Sequence, residues 1–346
     1  MKYFPKKLTM TWIRNSYKEG SLTPEELAGE IVRRAEKYRD YNIWIVAPDL
    51  KRMMDYIEKL PKDMESLPLW GIPFAVKDNI DVAGSPTTAA CPDYAYDPEE
   101  DAAVVKKLIG AGAFPVGKTN LDQFATGLVG TRSPYGEVKN ALDPELISGG
   151  SSSGSAVSVA LGMAAFSLGT DTAGSGRVPA ALNCLVGYKP SLGAWSTKGV
   201  VPACASLDCV TVFANSLEDA EEVNLAARGV DEECCWSRAY KEPLPKLPKK
   251  ICLAKDGVTF YGPYADIYKA KWEQAKKRIE DMGITVEYID YTMFSKAASI
   301  LYDGPWVAER WKDLGDFVES HPGKVFPVTE TVLRSGNKPE HTARKV

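Results

Sequence analysis

Histidine is nearly absent from this sequence. The chain has only two, His321 and His341, and both lie close to the C-terminus. A catalytic triad built on histidine, or a histidine-rich metal site, would have to depend on one of these two residues. We therefore expect neither histidine to be catalytic, and any base at an active site to be another residue type.

Long apolar runs, an excess of basic charge and paired cysteines are also missing. No segment approaches the roughly 18 uninterrupted apolar residues of a membrane span, and no apolar stretch follows the N-terminal lysines. Basic residues number 42 against 46 acidic ones, which argues against a nucleic-acid surface. The seven cysteines include no CxxC pair, so we expect ordinary thiols, no metal site and a reducing, cytoplasmic compartment. The predicted partner is a small molecule, with neither nucleic acid nor membrane.

The apolar residues that are present recur with the spacing of an α/β protein. Thr23 and Glu26 form a capping box with Pro24 at the first helical position, which predicts a helix to about Tyr38. Helical spacing at 102–111 alternates with strand-like apolar runs at 42–46, 73–76 and 113–116. This alternation predicts an α/β fold whose sheet is covered by helices on both faces.

The C-terminal third of the sequence contains a further unit of this kind. A connector rich in proline and lysine occupies 243–250. After it, the pattern predicts a strand at 251–254, a charged helix at 264–282 ended by Gly283, and a strand at 284–289. We interpret this segment as a βαβ unit.

Two short patterns compete for the active site, and the sequence around each argues against it. Residues 112–119 match the phosphate-loop pattern GxxxxGK[ST], but a helix precedes the first glycine where a strand belongs. Residues 150–154 match the GxSxG nucleophile pattern around Ser152, but no apolar strand precedes them and the base would have to be His321. We interpret the first as a buried strand and a loop, and keep the second as a weaker alternative.

A third group of residues needs no histidine. It combines Lys77 at the end of a strand, the serines at 151–153 and the segment 170–177 after another strand. A buried lysine activates a serine hydroxyl if it is neutral, which requires its pKa to fall by about 3, or roughly 4 kcal/mol. Small residues at 172–174 have N–H groups that can converge on an oxyanion beside Ser175. Each residue alone has an ordinary structural interpretation in a turn or at a strand end.

The sequences GGSSSGSA at 149–156 and GTDTAGSGRVP at 169–179, with Lys77 in a VKDN context, together resemble the amidase signature family. The match is long and extends from the first predicted helix to about residue 335. It implies an α/β/α sandwich with a mixed central sheet and no metal or organic cofactor. The implied roles are Ser175 as nucleophile, Ser151 as a bridging serine on a cis peptide, Lys77 as base, Thr172, Ala173, Gly174 and Ser175 as oxyanion hole, and Ser152, Asp171 and Arg177 as supporting residues.

Within that family the sequence is most similar to the allophanate hydrolase subgroup, whose members cleave urea-1-carboxylate. The similarity is carried by TTAACP at 87–92, the triple serine at 151–153 and YDGPWVAER at 302–310. It implies that Tyr302 and Arg310 contact the carboxylate of the substrate, and a guanidinium suits this role because it binds a carboxylate through two parallel hydrogen bonds. Without the resemblance, Arg310 would be interpreted as a solvated helix residue and Tyr302 as a packed ring.

The resemblance also predicts how the chain is organised. It implies a single amidase-signature domain over 1–346, with an N-terminal helical segment at 1–60, a catalytic core at 61–242, and a βαβ unit with substrate-side helices at 251–335. The likeness stops near residue 335, whereas the family domain continues further. We therefore expect the C-terminal part of that domain to be missing, and the chain to be marginally stable or self-associating and weakly active or inactive.

The sequence thus predicts hydrolysis of a small amide, most of all allophanate, to ammonia and carbon dioxide through an acyl-enzyme. Neutral Lys77 takes the proton of Ser175 through Ser151 and returns it to the departing ammonia. One alternative is another amidase-signature activity, including an aminoacyl-tRNA amidotransferase A-like subunit. A second is an inactive paralogue that serves as a binding or assembly subunit. We expect a homodimer, with a urea carboxylase as pathway partner.

Overall fold

The computed structural model describes residues 2–241, 246–256, 258–304 and 306–339, without the side chains of Tyr302 and Asp303. The chain forms two compact units, one of Met1–Tyr240 with Pro305–Val346 and the other of Lys241–Gly304. The single domain over 1–346, with its internal boundaries, stays a prediction. Among the described residues, no helix is long and apolar enough to cross a membrane.

The first unit is built on a mixed sheet of six strands. In chain order the strands are β1 (Trp44–Val46), β2 (Pro73–Lys77), β3 (Phe114–Thr119), β4 (Phe166–Asp171), β5 (Val186–Tyr188) and β6 (Cys209–Ala214). Their order in the sheet is β1-β3-β2-β4-β6-β5, with β2 parallel to β3 and β4 and the other pairs antiparallel. Every residue of β2, β4 and β6 is buried, which requires cover on both faces. The predicted α/β fold with a mixed central sheet is confirmed.

The helices form where the sequence supplies caps and apolar periodicity. They are α1 (Met10–Lys18), α2 (Pro24–Lys37), α3 (Leu50–Ile57), α4 (Ala103–Gly110), α5 (Ser153–Ala160), α6 (Arg177–Leu182), α7 (Leu217–Ala227), α8 (Ala265–Asp281), α9 (Thr292–Asp303), α10 (Trp306–Ser320) and α11 (Pro327–Arg334). The predicted capping box begins α2, because Thr23 and Glu26 each accept a hydrogen bond from the other's amide. Every residue of α5 is buried, and this helix packs against β2, β3, β4 and β6.

The second unit contains the predicted βαβ segment. Strands β7 (Lys250–Ala254) and β8 (Thr285–Ile289) pair in parallel, and α8 connects them. The prediction for 251–289 is therefore confirmed. Helix α9 follows in this unit and includes the backbone of Tyr302.

The parallel pairing of β2 with β4 positions the candidate site. Phe74 stacks on Phe166 at 5.2 Å between ring centroids, and Val76 is in register with Leu168. Because the carboxyl ends of parallel strands meet at one edge of a sheet, the chain following β2 and the chain following β4 leave the sheet side by side. Lys77 and the segment after residue 170 are thereby brought together.

Candidate active site

Lys77, the predicted base, is the last residue of β2 and is fully buried. Its Nζ lies 2.8 Å from Ser151 Oγ and 2.7 Å from Thr170 Oγ1. Burial lowers the pKa of Lys77 from 10.5 to about 7, although three nearby carboxylates favour its charged form. A lysine with this pKa is neutral in about half of the molecules at pH 7, so it can accept a proton from Ser151.

Ser151 is held at the N-terminal side of α5. The peptide bond between Gly150 and Ser151 is cis. The Ser151 carbonyl accepts a hydrogen bond from the Asp122 amide at 3.0 Å. Any side chain at position 150 would collide with Asp122, because a Cβ there would lie 2.1 Å from its Oδ2. Only glycine therefore fits between the Asp122 carboxylate and Ser151.

Ser175, the predicted nucleophile, lies in the loop between β4 and α6. Its residue surface is 5% exposed, and its hydroxyl donates to the Gly127 carbonyl at 3.4 Å. Over the part of the chain that the structure describes, no hydrogen bond joins the hydroxyls of Ser151 and Ser175. The link from Lys77 to Ser151 is thus formed, while Ser175 has its hydroxyl turned to a backbone carbonyl.

The buried carboxylate of Asp171 organises the loop that carries Ser175. It accepts hydrogen bonds from the amides of Gly174 at 2.7 Å and Gly176 at 3.0 Å, and from two guanidinium nitrogens of Arg177 at 2.9 Å each. Burial raises the pKa of Asp171, but the hydrogen bonds and charge of Arg177 outweigh it, so the pKa lies below its ordinary value. Asp171 is therefore a charged anchor for this loop.

Three amides of the same loop have no acceptor among the described residues. Within the described chain, the N–H groups of Thr172, Ala173 and Ser175 donate to no protein group, whereas that of Gly174 is taken by Asp171. Gly174 has a φ of +139°, a conformation that favours glycine. The oxyanion-hole role of Thr172, Ala173, Gly174 and Ser175 stays a prediction. The amides that are available for it are those of Thr172, Ala173 and Ser175.

Ser152 has a structural place in the site. Its buried hydroxyl donates to the Thr170 carbonyl at 3.1 Å and accepts from the Thr170 amide at 3.2 Å, which joins the start of α5 to β4.

His321, the base that the GxSxG alternative requires, stacks on Phe317 at 4.3 Å and has its Nδ1 3.0 Å from the Phe317 carbonyl oxygen. The geometry therefore favours Ser175 over Ser152 as nucleophile.

The phosphate-loop pattern at 112–119 is occupied by β3, as the sequence indicated. Lys118, its lysine, is 1% exposed and forms an ion pair with Asp78 at 3.2 Å. Thr88 also donates its amide and hydroxyl to Asp78, at 3.0 and 2.5 Å. This lysine is therefore committed to an internal ion pair beside the candidate base.

Arg310 extends the site towards α10. The residue is 2% exposed, which excludes a solvated helix position, and its Nη1 donates to Thr126 Oγ1 at 3.0 Å. Thr126 directly precedes Gly127, whose carbonyl accepts the Ser175 hydroxyl. Arg310 is thus connected through this loop to the predicted nucleophile. Tyr302, the other predicted carboxylate contact, has a side chain outside the described residues.

Three buried polar residues at the site have contacts that were not predicted from the sequence. Thr170 accepts from Lys77, Asp122 accepts from the amides of the 129–132 loop, and Asp208 accepts from the hydroxyl of Thr172. Each lies near the end or the start of a buried strand, which is the one sequence signal that they share. Their roles depend on contacts between loops that are distant in the chain.

A buried lysine of lowered pKa, bonded to one serine and adjacent to a loop that presents a second, is the arrangement expected of a serine hydrolase site with lysine in place of histidine. The amidase family model matches residues 26–335, and the chain belongs to that family. The family resemblance predicted from the sequence is confirmed.

Comparison with individual proteins is more specific than the family match. The chain is 47% identical over 304 residues to the urea amidolyase of Saccharomyces cerevisiae, which covers 86% of this chain and 16% of that protein. It is 35% identical over 303 residues to a glutamyl-tRNA(Gln) amidotransferase subunit of Methanosarcina mazei, covering 86% of this chain and 62% of that protein. The allophanate hydrolase structure of Kluyveromyces lactis superposes with a TM-score of 0.86 at 39% identity, covering 98% of this chain and 56% of that one. The chain thus spans less than two thirds of each relative.

Proposed function

We propose that this chain hydrolyses a small amide that carries a carboxylate, namely allophanate, and releases ammonia. The observation that carries the proposal is the buried Lys77, whose Nζ lies 2.8 Å from Ser151 Oγ and whose pKa is about 7. The similarity to a urea amidolyase and to an allophanate hydrolase supports this choice of substrate.

In the acylation step, a new bond forms between Ser175 Oγ and the terminal carbonyl carbon of allophanate. Ser175 first turns its hydroxyl from Gly127 towards Ser151. Its proton passes to Ser151 while the proton of Ser151 passes to neutral Lys77. Negative charge develops on the carbonyl oxygen, where the amides of Thr172, Ala173 and Ser175 stabilise it.

In the second half of the reaction, the carbon–nitrogen bond breaks and ammonia leaves. The proton on Lys77 returns through Ser151 to the departing nitrogen, which leaves an acyl group on Ser175. Water then attacks this ester and gives its proton to the same relay, and Ser175 recovers its hydroxyl. The released product is a carbamate that bears a second carboxylate, and loss of carbon dioxide from it yields ammonia and carbon dioxide.

Arg310 is proposed to select the carboxylate of the substrate. A guanidinium that is nearly excluded from water strongly favours an anionic partner, and its planar donors match a carboxylate. Its hydrogen bond to Thr126 holds the guanidinium at the loop that also contacts Ser175. The role of Tyr302 rests on the family resemblance alone and stays a prediction.

Ammonia release by the purified chain tests the proposal. We expect release from allophanate, less from uncharged biuret, and none from the Ser175→Ala variant. Release from glutamine in preference to allophanate would instead favour the amidotransferase A-like alternative, which the 35% identity to the Methanosarcina mazei protein supports. A folded chain that releases ammonia from no amide would contradict the proposal and favour a binding or assembly subunit.

The proposal includes a cellular setting. We expect a homodimer in the cytoplasm, with a urea carboxylase as the source of allophanate. The name of the urea amidolyase relative supports a reaction sequence that starts from urea. Light scattering coupled to size-exclusion chromatography tests the dimer, and a monomer at micromolar concentration would contradict it.

A further inference from the structure

The carboxylate of Asp208, directly before β6, joins two loops of the first unit. Asp208 is 4% exposed. One of its oxygens accepts from the amides of Ala203 at 2.8 Å and Cys204 at 3.1 Å, and the other accepts from the hydroxyl of Thr172. Asp208 therefore ties the 203–208 loop to the first residue of the loop whose amides we assign to the oxyanion.

Helix α10 holds the same 203–208 loop from another side. Ser206 donates its amide and its hydroxyl to the two carboxylate oxygens of Glu309, each at 2.7 Å. The next residue along the helix is Arg310, which we assign to the substrate carboxylate. The 203–208 loop thus connects the helix that carries Arg310 with the loop that begins at Thr172.

We propose that Asp208 is a positioning residue that anchors Thr172 for oxyanion binding, and that its negative charge offsets Arg310 until the substrate carboxylate replaces it. The first part applies to any amide that the chain hydrolyses. The second part rests on the proposed function, because it needs a substrate with a carboxylate.

The charges around Lys77 and Arg310 support this proposal. Three carboxylates favour protonated Lys77: Asp122 from the loop after β3, Asp171 at the end of β4, and Asp208 before β6. Burial raises the pKa of Asp208 above its ordinary value; the hydrogen bonds from Thr172, Ala203 and Cys204 oppose that effect, and so does the positive charge of Arg310. Loss of the charge on Asp208 is therefore expected to lower the pKa of Lys77 further and to strengthen the attraction of Arg310 for an anion.

Two substitutions separate the anchoring role from the charge. In Asp208→Asn, the side-chain oxygen still accepts from the backbone amides of Ala203 and Cys204, and the side-chain nitrogen donates to the Thr172 hydroxyl. The contacts therefore persist while the charge is lost. In Thr172→Val the anchoring hydroxyl is lost and the charge persists, whereas Thr172→Ser keeps both.

Asp219→Asn is the matched control. Asp219 is also a buried carboxylate, 2% exposed, and accepts a backbone amide, that of Met10 at 3.3 Å. Burial raises its pKa as well. It is not among the carboxylates that act on Lys77.

Two measurements on the full chain test the proposal. The first is the pH dependence of Ser175 labelling by a fluorophosphonate, in which the serine oxygen binds phosphorus, fluoride leaves and the proton passes to the relay. The second compares kcat and KM for allophanate with those for biuret. We expect Asp208→Asn to move the acid limb of labelling to lower pH and to lower KM for allophanate but not for biuret. Thr172→Val should lower kcat for both substrates by about tenfold to a hundredfold, and Thr172→Ser should retain most of it.

Several outcomes would overturn the proposal. The first is an Asp208→Asn variant whose acid limb of labelling and whose KM for allophanate relative to biuret both equal those of the wild type. The second is an Asp219→Asn variant whose acid limb shifts as much as that of Asp208→Asn. The third is a Thr172→Val variant with the kcat of the wild type. If Asp208→Asn does not fold, the Thr172 pair still decides the anchoring role. A wild-type chain that is labelled at Ser175 but does not hydrolyse allophanate would refute the proposed substrate. The acid limb in the pH dependence of labelling would still test the effect of Asp208 on Lys77. Absence of labelling would refute the nucleophile and this inference with it.

Discussion

Replacement of Lys77 by methionine is expected to increase stability while it ends activity. The pKa of Lys77 is about 7 in the folded chain, against 10.5 for an ordinary lysine. Between these values the unfolded chain binds a proton that the folded chain does not, so the stability of the wild type rises with pH across this window. Below pH 7, the burial of charged Lys77 lowers the free energy of unfolding by about 5 kcal/mol. This cost disappears above pH 10.5.

The net effect at neutral pH follows from two opposing contributions. Methionine does not ionise, so at pH 7 it removes a cost of about 4 kcal/mol. It also removes the hydrogen bonds of Lys77 to Ser151 and Thr170, which contribute roughly 1 kcal/mol each. We therefore expect Lys77→Met to be about 2 kcal/mol more stable than the wild type at pH 7, and this advantage to decline by about 1.4 kcal/mol per pH unit towards pH 10.

Urea unfolding of both proteins at pH 7, 8, 9 and 10 measures this difference. Lys118→Met is the matched control, because Lys118 is equally buried but forms an ion pair with Asp78 at 3.2 Å. Its loss leaves a buried carboxylate without its partner, so that variant should be destabilised by about 3 kcal/mol or more. A stability difference between Lys77→Met and the wild type that does not change with pH would refute a neutral, desolvated Lys77.

Further substitutions test the other roles. Ser175→Ala should abolish ammonia release from allophanate with an unchanged melting temperature, and retained activity would exclude Ser175 as nucleophile. Arg310→Lys should lower kcat/KM for allophanate far more than for biuret, because lysine lacks the planar pair of donors; equal losses on both substrates would make Arg310 structural. Thr170→Val removes the acceptor 2.7 Å from Lys77 Nζ, so the acid limb of the pH profile should move to lower pH. Thr211, on the neighbouring strand β6, has a buried hydroxyl without a hydrogen-bond partner among the described residues, so Thr211→Val should leave that limb in place.

Local patterns in the sequence predict much of the fold. The capping box at Thr23 and Glu26 predicts the start of α2, and the apolar run at 73–76 predicts β2 to within one residue. These elements depend on nearest neighbours in the chain, which the sequence displays directly. The same holds for the glycine and serine motifs, because a tight turn requires small residues at fixed positions.

The remaining features depend on contacts between distant segments. Arg310 is buried, and Thr126 accepts a hydrogen bond from it across 184 positions of the chain. Asp208 and Thr172 meet because β4 and β6 are neighbours in the sheet, an order that hydrophobic periodicity does not reveal. The use of the Gly174 amide by Asp171 is also invisible in the sequence, since it depends on the path of the loop.

The pH dependence of kcat/KM for allophanate tests most directly whether a neutral lysine is the base. Ammonia release is measured from pH 5 to 10, with the release by Lys77→Ala subtracted at each pH as the background. Because kcat/KM reports ionisations of the free enzyme, the rate should rise with pH through a single acid limb near the Lys77 pKa of about 7 and then stay level. A profile that is flat from pH 5 to 10, as a carboxylate base with its ordinary pKa of about 4 would give, would contradict the account.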